Sequence, residues 1–139
     1  MIKVLVDTNI LIYSFISSEE KKHTRCTEIL KKLIDQHDLV LSIQNFVELS
    51  RVLTEKTVPT VNHEVVQQHI TDLSHCAHLI YYTSTTVLRA LTIAKHYHLH
   101  FFDALLIATM EENSISGIIT ENEKDFKKCP GITVTNPFR

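Results

Sequence analysis

The sequence predicts an α/β fold built on a parallel sheet, and three observations carry that prediction. Short apolar, β-branched runs recur along the chain and alternate with segments of helical periodicity. No hairpin signal joins one run to the next, so successive strands need crossover connections. Two glycines and three prolines in 139 residues are too few for a turn-rich all-β fold or a glycine-rich phosphate loop.

The elements follow in order. Ile2 to Val6 is a continuous apolar run that stops at Asp7, the pattern of a strand buried on both faces. Thr8 or Asn9 offers the cap of a helix carrying Ile10, Leu11, Tyr13, Ser14 and Ile16. Thr24 to Gln36 places Cys26, Ile29, Leu30, Leu33 and Ile34 on one stripe, an amphipathic helix. Leu39 to Ile43 reads as the second strand, followed by a helix from Gln44 to Glu55 and a break at Thr57 to Thr60. Helices at Asn62–Ser74 and Thr85–Tyr97 flank a strand at His78–Tyr82. Phe102 to Met110 opens a further helix with Asp103 in its first turn, where the helix dipole favours an acid. Gly117–Thr120 and Ile132–Val134 supply the last strands. No repeat, linker or low-complexity stretch divides residues 1–139, so one domain is expected.

Composition narrows the function. Fourteen Lys and Arg against sixteen Asp and Glu leave a formal charge of −2, unlike a protein that coats nucleic acid. A nuclease that grips its substrate through a few basic residues and metal ions stays open. Cys26, Cys76 and Cys129 are isolated and odd in number, which argues against a zinc ribbon or a disulfide framework and for a reducing compartment. No apolar run approaches the roughly 18 residues of a membrane span. The first residues are too short an apolar stretch for a signal peptide and are broken by Asp7, so a cytoplasmic location is expected.

In a parallel sheet, chemistry gathers beyond the carboxyl ends of the strands. Asp7 stands at one such end, and Thr120 at another, followed by Glu121, Asn122, Glu123 and Asp125. Glu48 and Asp103 sit inside apolar segments, between Val47 and Leu49 and between Phe102 and Ala104. Each acid alone reads most simply as a helix cap or a solvated side chain, Glu48 beside Arg51 for instance. Together they read differently, because acids in apolar runs are rarely buried unless paired, hydrogen-bonded or bound to metal. Two carboxylates 4 Å apart repel by about 4 kcal/mol at an effective dielectric of about 20. A divalent cation removes that repulsion, and oxygen ligands suit Mg2+ or Mn2+.

These segments resemble the PIN-domain nucleases, and among them the VapC-like toxin ribonucleases of bacterial toxin–antitoxin pairs. Val4 to Ile12, with Asp7, Thr8 and Asn9 at its centre, is similar to the family's opening strand and first acid. Leu41 to Leu53 matches the segment around its second acid at Glu48, and Leu99 to Ala108 the segment around its third at Asp103. Gly117 to Phe126 resembles its closing motif. The resemblance runs in order over nearly the whole chain. It implies a three-layer α/β/α sandwich and metal-dependent endonucleolytic hydrolysis of RNA phosphodiesters. Asp7, Glu48 and Asp103 would ligate Mg2+ or Mn2+, with Asn9 and Thr120 holding ligands or water by hydrogen bonds. A cognate antitoxin and a homodimer are the implied partners.

Asn122 occupies a place where the family often has Asp, which leaves Asp125 as the candidate fourth carboxylate. Successive residues on a helical turn diverge by about 100°, while positions three apart share a face. Asn122 and Asp125 can therefore face the metal together, with Asn122 as a neutral oxygen ligand or water holder, and Glu121 and Glu123 turned to solvent.

Two other functions compete. A catalytically inactive PIN-like module that binds RNA or protein would be expected to lose its acids first. A haloacid-dehalogenase-like phosphatase needs a second Asp two residues after the first, where this chain has Asn9. His96, His98 and His100 form a surface or loop cluster rather than a zinc site, for want of completing ligands. Lys21, Lys22, Arg25, Lys31 and Lys32 read as a solvated helix face, the thiols as buried filler, and Arg51, Lys56 and Arg89 as candidate phosphate contacts.

Overall fold

In the computed structural model, which describes residues 2–139, five short strands form one parallel sheet. β1 (Val4–Val6) is central; β2 (Leu39–Ser42) and β3 (His78–Ile80) lie on one side, β4 (Gly117–Ile119) and β5 (Thr133–Thr135) on the other. Leu5 pairs with Val40 on one flank and Ile118 on the other, and Val6 stands opposite Ile119.

The two-residue period of the strands divides the interior into two cores. Leu5, Val40 and Ile118 project to one face, where α5 (Ser84–Tyr97) and α6 (Phe101–Glu112) cover them with Ala90, Ile93 and Leu105. Val6, Leu39 and Leu41 project to the other, beneath α1 (Thr8–Phe15), α2 (Glu20–Asp35), α3 (Ile43–Arg51) and α4 (His63–Cys76). Both strand faces are apolar because both are covered. The result is a three-layer α/β/α sandwich with an all-parallel sheet. α6 is buried without interruption from Ala104 to Met110, which fixes it against the sheet and holds the start of the helix in place.

Several boundaries differ from expectation for local reasons. Asp7, not Thr8 or Asn9, caps α1, since its extended backbone lets the carboxylate accept from Thr8 N. α2 starts one turn earlier, at Glu20, because tertiary bonds engage that turn: His23 Nδ1 lies 2.8 Å from Tyr13 O, and Lys22 pairs with Glu121. α3 starts at Ile43, capped by Ser42, and beyond Arg51 it widens into a π-helical turn over Val52–Lys56. The Thr57 N–H reaches back five residues to Val52 O, and the hydroxyls of Thr54 and Thr57 bond the carbonyls four residues before them. The last strand is shifted to Thr133–Thr135 by the bond from Thr133 N to Ser116 O at 2.7 Å.

Candidate active site

The chain leaves β1 towards β2 on one side, while β4 flanks β1 on the other, so the crevice beyond β1 and β4 is the topological switch point of the sheet. Asp7 and Thr120 stand there, directly after the two strands, with Asp7 N bonded to Ile119 O at 2.9 Å. Asp7 Oδ1 accepts from Thr8 N at 2.8 Å, and Oδ2 from the buried Thr120 hydroxyl at 2.7 Å. Asn9 Nδ2 approaches the same Oδ2 at 3.5 Å, a weak contact. Burial pushes the Asp7 carboxyl above its usual pKa, with the bonds from Thr120 and Thr8 opposing.

Glu48 is delivered by α3. Ser42 caps that helix through a reciprocal arrangement: its hydroxyl accepts from Gln44 N at 3.1 Å, and Asn45 Oδ1 accepts from Ser42 N at 2.8 Å. Asn45 Nδ2 then donates to Thr8 Oγ1 at 3.0 Å, and Thr8 Oγ1 donates to Glu48 Oε1 at 2.9 Å. Burial raises the pKa of Glu48, and the charge of Asp7 raises it further.

Asp103 sits in the first turn of α6, where Asn122 Nδ2 donates to its Oδ2 at 3.3 Å. Burial, then the charges of Asp7, Asp125 and Glu48, push its pKa up to about 6, while His100 opposes them. Four acids from four separate parts of the chain thus feel one another at a single place.

In the segment after β4, Glu121 and Asn122 precede the helix, with Asn122 as its non-helical N-cap residue, so the expected helical spacing of Asn122 and Asp125 does not apply to them. α7 (Glu123–Phe126) brings Asp125 toward Asp103, and Asp125 Oδ1 also lies 3.5 Å from Lys128 Nζ. Glu121 points elsewhere, accepting from the Tyr13 hydroxyl at 2.6 Å and pairing with Lys22. Glu123 pairs with Lys127 at 3.3 Å and Arg139 at 3.1 Å. Neither simply faces solvent as expected, because basic side chains from distant segments meet both. Lys22 accordingly leaves the solvated face assigned to its helix.

Among the described residues no three His, Cys, Asp or Glu side chains form a ready-made metal cage. Asp7, Glu48 and Asp103 are held instead by the donors of Thr8, Thr120 and Asn122. The donor set nevertheless fits a hard divalent cation: every group is an oxygen ligand, and burial together with the neighbouring acids raises the Asp103 pKa to about 6, a penalty on its charge that a cation would offset.

Other expectations fare unevenly. Arg89 pairs with Glu111 at 3.2 Å, two turns along α6 from Asp103 and so about 12 Å down the helix axis, too far for a phosphate contact at this site. His98 ends α5 in a left-handed conformation and His100 precedes α6, so these two share a connecting turn, while His96 lies in the last turn of α5. Cys26 and Cys129 are buried, but Cys76 is exposed at the end of α4. Sequence reasoning missed Thr8 and Asn45 as a link between the carboxylates, because the burial of Asn45 is visible only in the fold.

The PIN domain family model matches residues 4–132. The chain belongs to the PIN-domain family. Solved structures of toxin–antitoxin proteins share its fold over most of their length. A toxin–antitoxin complex from Klebsiella pneumoniae superposes with a TM-score of 0.71 at 24% identity, covering 97% of this chain and 98% of the other. DNA-bound VapBC from Salmonella typhimurium gives 0.72 at 16% identity, with 99% of each chain covered. VapC20 of Mycobacterium tuberculosis, described as a sarcin-ricin loop cleaving toxin, gives 0.63 at 16% identity over 84% of this chain and 87% of its own. At such identities the likeness establishes the PIN fold. A search of curated protein sequences gave no match. Among the described residues no helix is long and apolar enough to cross a membrane.

Proposed function

We propose that this PIN domain is a metal-dependent endoribonuclease acting as the toxin of a type II toxin–antitoxin pair. One observation carries the reading: Asp103, set in an apolar helix, is crowded by the charges of Asp7, Glu48 and Asp125 at the switch point of the sheet. Such a cluster costs stability unless a cation neutralises it. Asp7, Glu48, Asp103 and Asp125 would hold Mg2+ or Mn2+, with Asn122 as a neutral oxygen ligand or water holder. The cation's contribution is to lower the pKa of bound water and to stabilise charge on the phosphorane-like transition state. The chain's own groups do the positioning. Thr120 and Thr8 N orient the Asp7 carboxylate, the Thr8 hydroxyl orients Glu48, and Asn122 steadies Asp103. Asn9 has a weaker hold on Asp7.

The toxin assignment is supported by the fold shared with the toxin–antitoxin complex and VapBC structures. By that analogy the partners are RNA, a cognate antitoxin and a second copy of this chain, all in the cytoplasm, with residues 1–139 acting as one nuclease domain. The deciding experiment is RNA cleavage with Mg2+ or Mn2+, in EDTA, and by Asp103→Asn. Cleavage is expected only with the metal and the intact acid. Full cleavage in EDTA or by the variant overturns the reading. A folded chain that binds RNA without cutting it would instead be an inactive PIN-like module. Expression alone should slow growth, and coexpression of a neighbouring short gene should relieve it.

A further inference from the structure

Gln44 lies one turn before Glu48 on α3, so the two side chains share a helix face. It is only 3% exposed, an unusual setting for an amide. Its Nε2 donates to the backbone carbonyl of Phe102 at 2.8 Å, which fastens α3 to the first turn of α6 immediately before Asp103. Its Oε1 is buried and has no hydrogen-bond partner among the described residues. Rotating the amide by 180° would not help, because it would aim Oε1 at the Phe102 carbonyl, itself an acceptor. The orientation is therefore dictated by the NH2 group, and the unmet oxygen is its consequence.

A buried acceptor left without a partner costs free energy that an apolar side chain of the same length would avoid. Packing alone would be better served by Met or Leu. What Gln44 supplies that they cannot is a donor between the helix bearing Glu48 and the helix bearing Asp103. We propose that Gln44 is a positioning residue that sets the spacing of Glu48 and Asp103 by tying α3 to the start of α6. The role rests on the nuclease reading above and adds a determinant of the same site.

The test is Gln44→Met, measured three ways: thermal midpoint in EDTA, Mn2+ affinity by titration calorimetry, and kcat and KM on RNA. The midpoint should hold or rise, since the unpaired oxygen is gone. Mn2+ affinity and kcat should each fall about 10-fold or more, with little change in KM, as is usual when a group orienting a metal ligand is lost. Mn2+ affinity and kcat unchanged in Gln44→Met would overturn the proposal. The nuclease reading fails separately, in the wild type: if that protein binds Mn2+ without cleaving RNA, the affinity of Gln44→Met still decides the role of Gln44. If it binds no Mn2+, both fall.

Discussion

The Thr8 hydroxyl donates to Glu48 Oε1 at 2.9 Å and accepts from Asn45 Nδ2 at 3.0 Å, so one small side chain fixes a carboxylate 40 residues away in sequence. Thr8→Val keeps the shape and removes both bonds. It leaves the Nδ2 donor of the fully buried Asn45 without its partner, at a cost of about 1–3 kcal/mol. Thermal unfolding should therefore begin several degrees lower, and Thr8→Ser, which retains the hydroxyl, should recover most of the loss. An unchanged midpoint in Thr8→Val would remove this link from the account of the site.

The acid cluster predicts how the metal-free protein responds to pH. Asp103 has a pKa of about 6 in the folded chain against 3.8 for an ordinary Asp. A carboxyl whose pKa is raised on folding adds stability at low pH, and that contribution is lost as pH rises through the folded value. In EDTA the wild type should thus lose stability between about pH 4 and about pH 6 relative to Asp103→Asn. Discounted for the solvent screening of a half-buried group, the effect is on the order of 1 kcal/mol. Mg2+ or Mn2+ should restore the wild type at neutral pH and leave the variant nearly unmoved. Melting curves at several pH values, with and without metal, check both statements.

How much of this was legible in the sequence depends on how local the cause is. The strands at β1, β2 and β4 are signalled by their own apolar runs, but Asn122 reaches Asp103 from a non-helical cap position, which the helical spacing of the segment did not show. Asp103 at the head of an unbroken apolar helix is legible in the same way as the strands. The first turn of α2 is not, because Glu20 to His23 carry no apolar stripe and are held by Tyr13 and Glu121, the latter 99 residues from Lys22. Long-range partners also explain why Lys22 and Glu121 were both assigned to solvent. The chain from Asn45 through Thr8 to Glu48 was hidden likewise: each residue reads as an ordinary polar side chain until α3 and α1 are packed side by side.

The cysteines give an inexpensive check on the packing. Cys76 is exposed, while Cys26 is fully buried and burial pushes its thiol up to about 11. Cys129 is buried and shifted upward in the same way. Thiolate is the reactive form, so only Cys76 should react promptly with a disulfide reagent in the native protein. All three should react after denaturation. Two or three fast thiols in the native state would contradict the packing of α2 or of the segment after α7.

The segment after β4 yields the sharpest comparison, because four polar residues there have three different assignments. Asp125 faces Asp103 and raises its pKa, so Asp125→Asn should reduce Mn2+ affinity and RNA cleavage by roughly 10-fold or more. Asn122→Ala removes the bond to Asp103 Oδ2 and should lower both by a smaller factor. Glu121 is engaged by Lys22 and Tyr13, and Glu123 by Lys127 and Arg139, so neither is free to ligate. Glu121→Gln should instead lower the thermal midpoint modestly, with the difference shrinking at high salt, since a partly exposed pair is still screened in part. Glu123→Gln should do less, because its partners are long, well-exposed side chains near the chain end. The experiment compares Mn2+ affinity, cleavage and melting for the four variants side by side. If Glu121→Gln abolishes cleavage with its fold intact while Asp125→Asn does not, the carboxylate completing the site is Glu121, and the pairing with Lys22 must open when the metal binds.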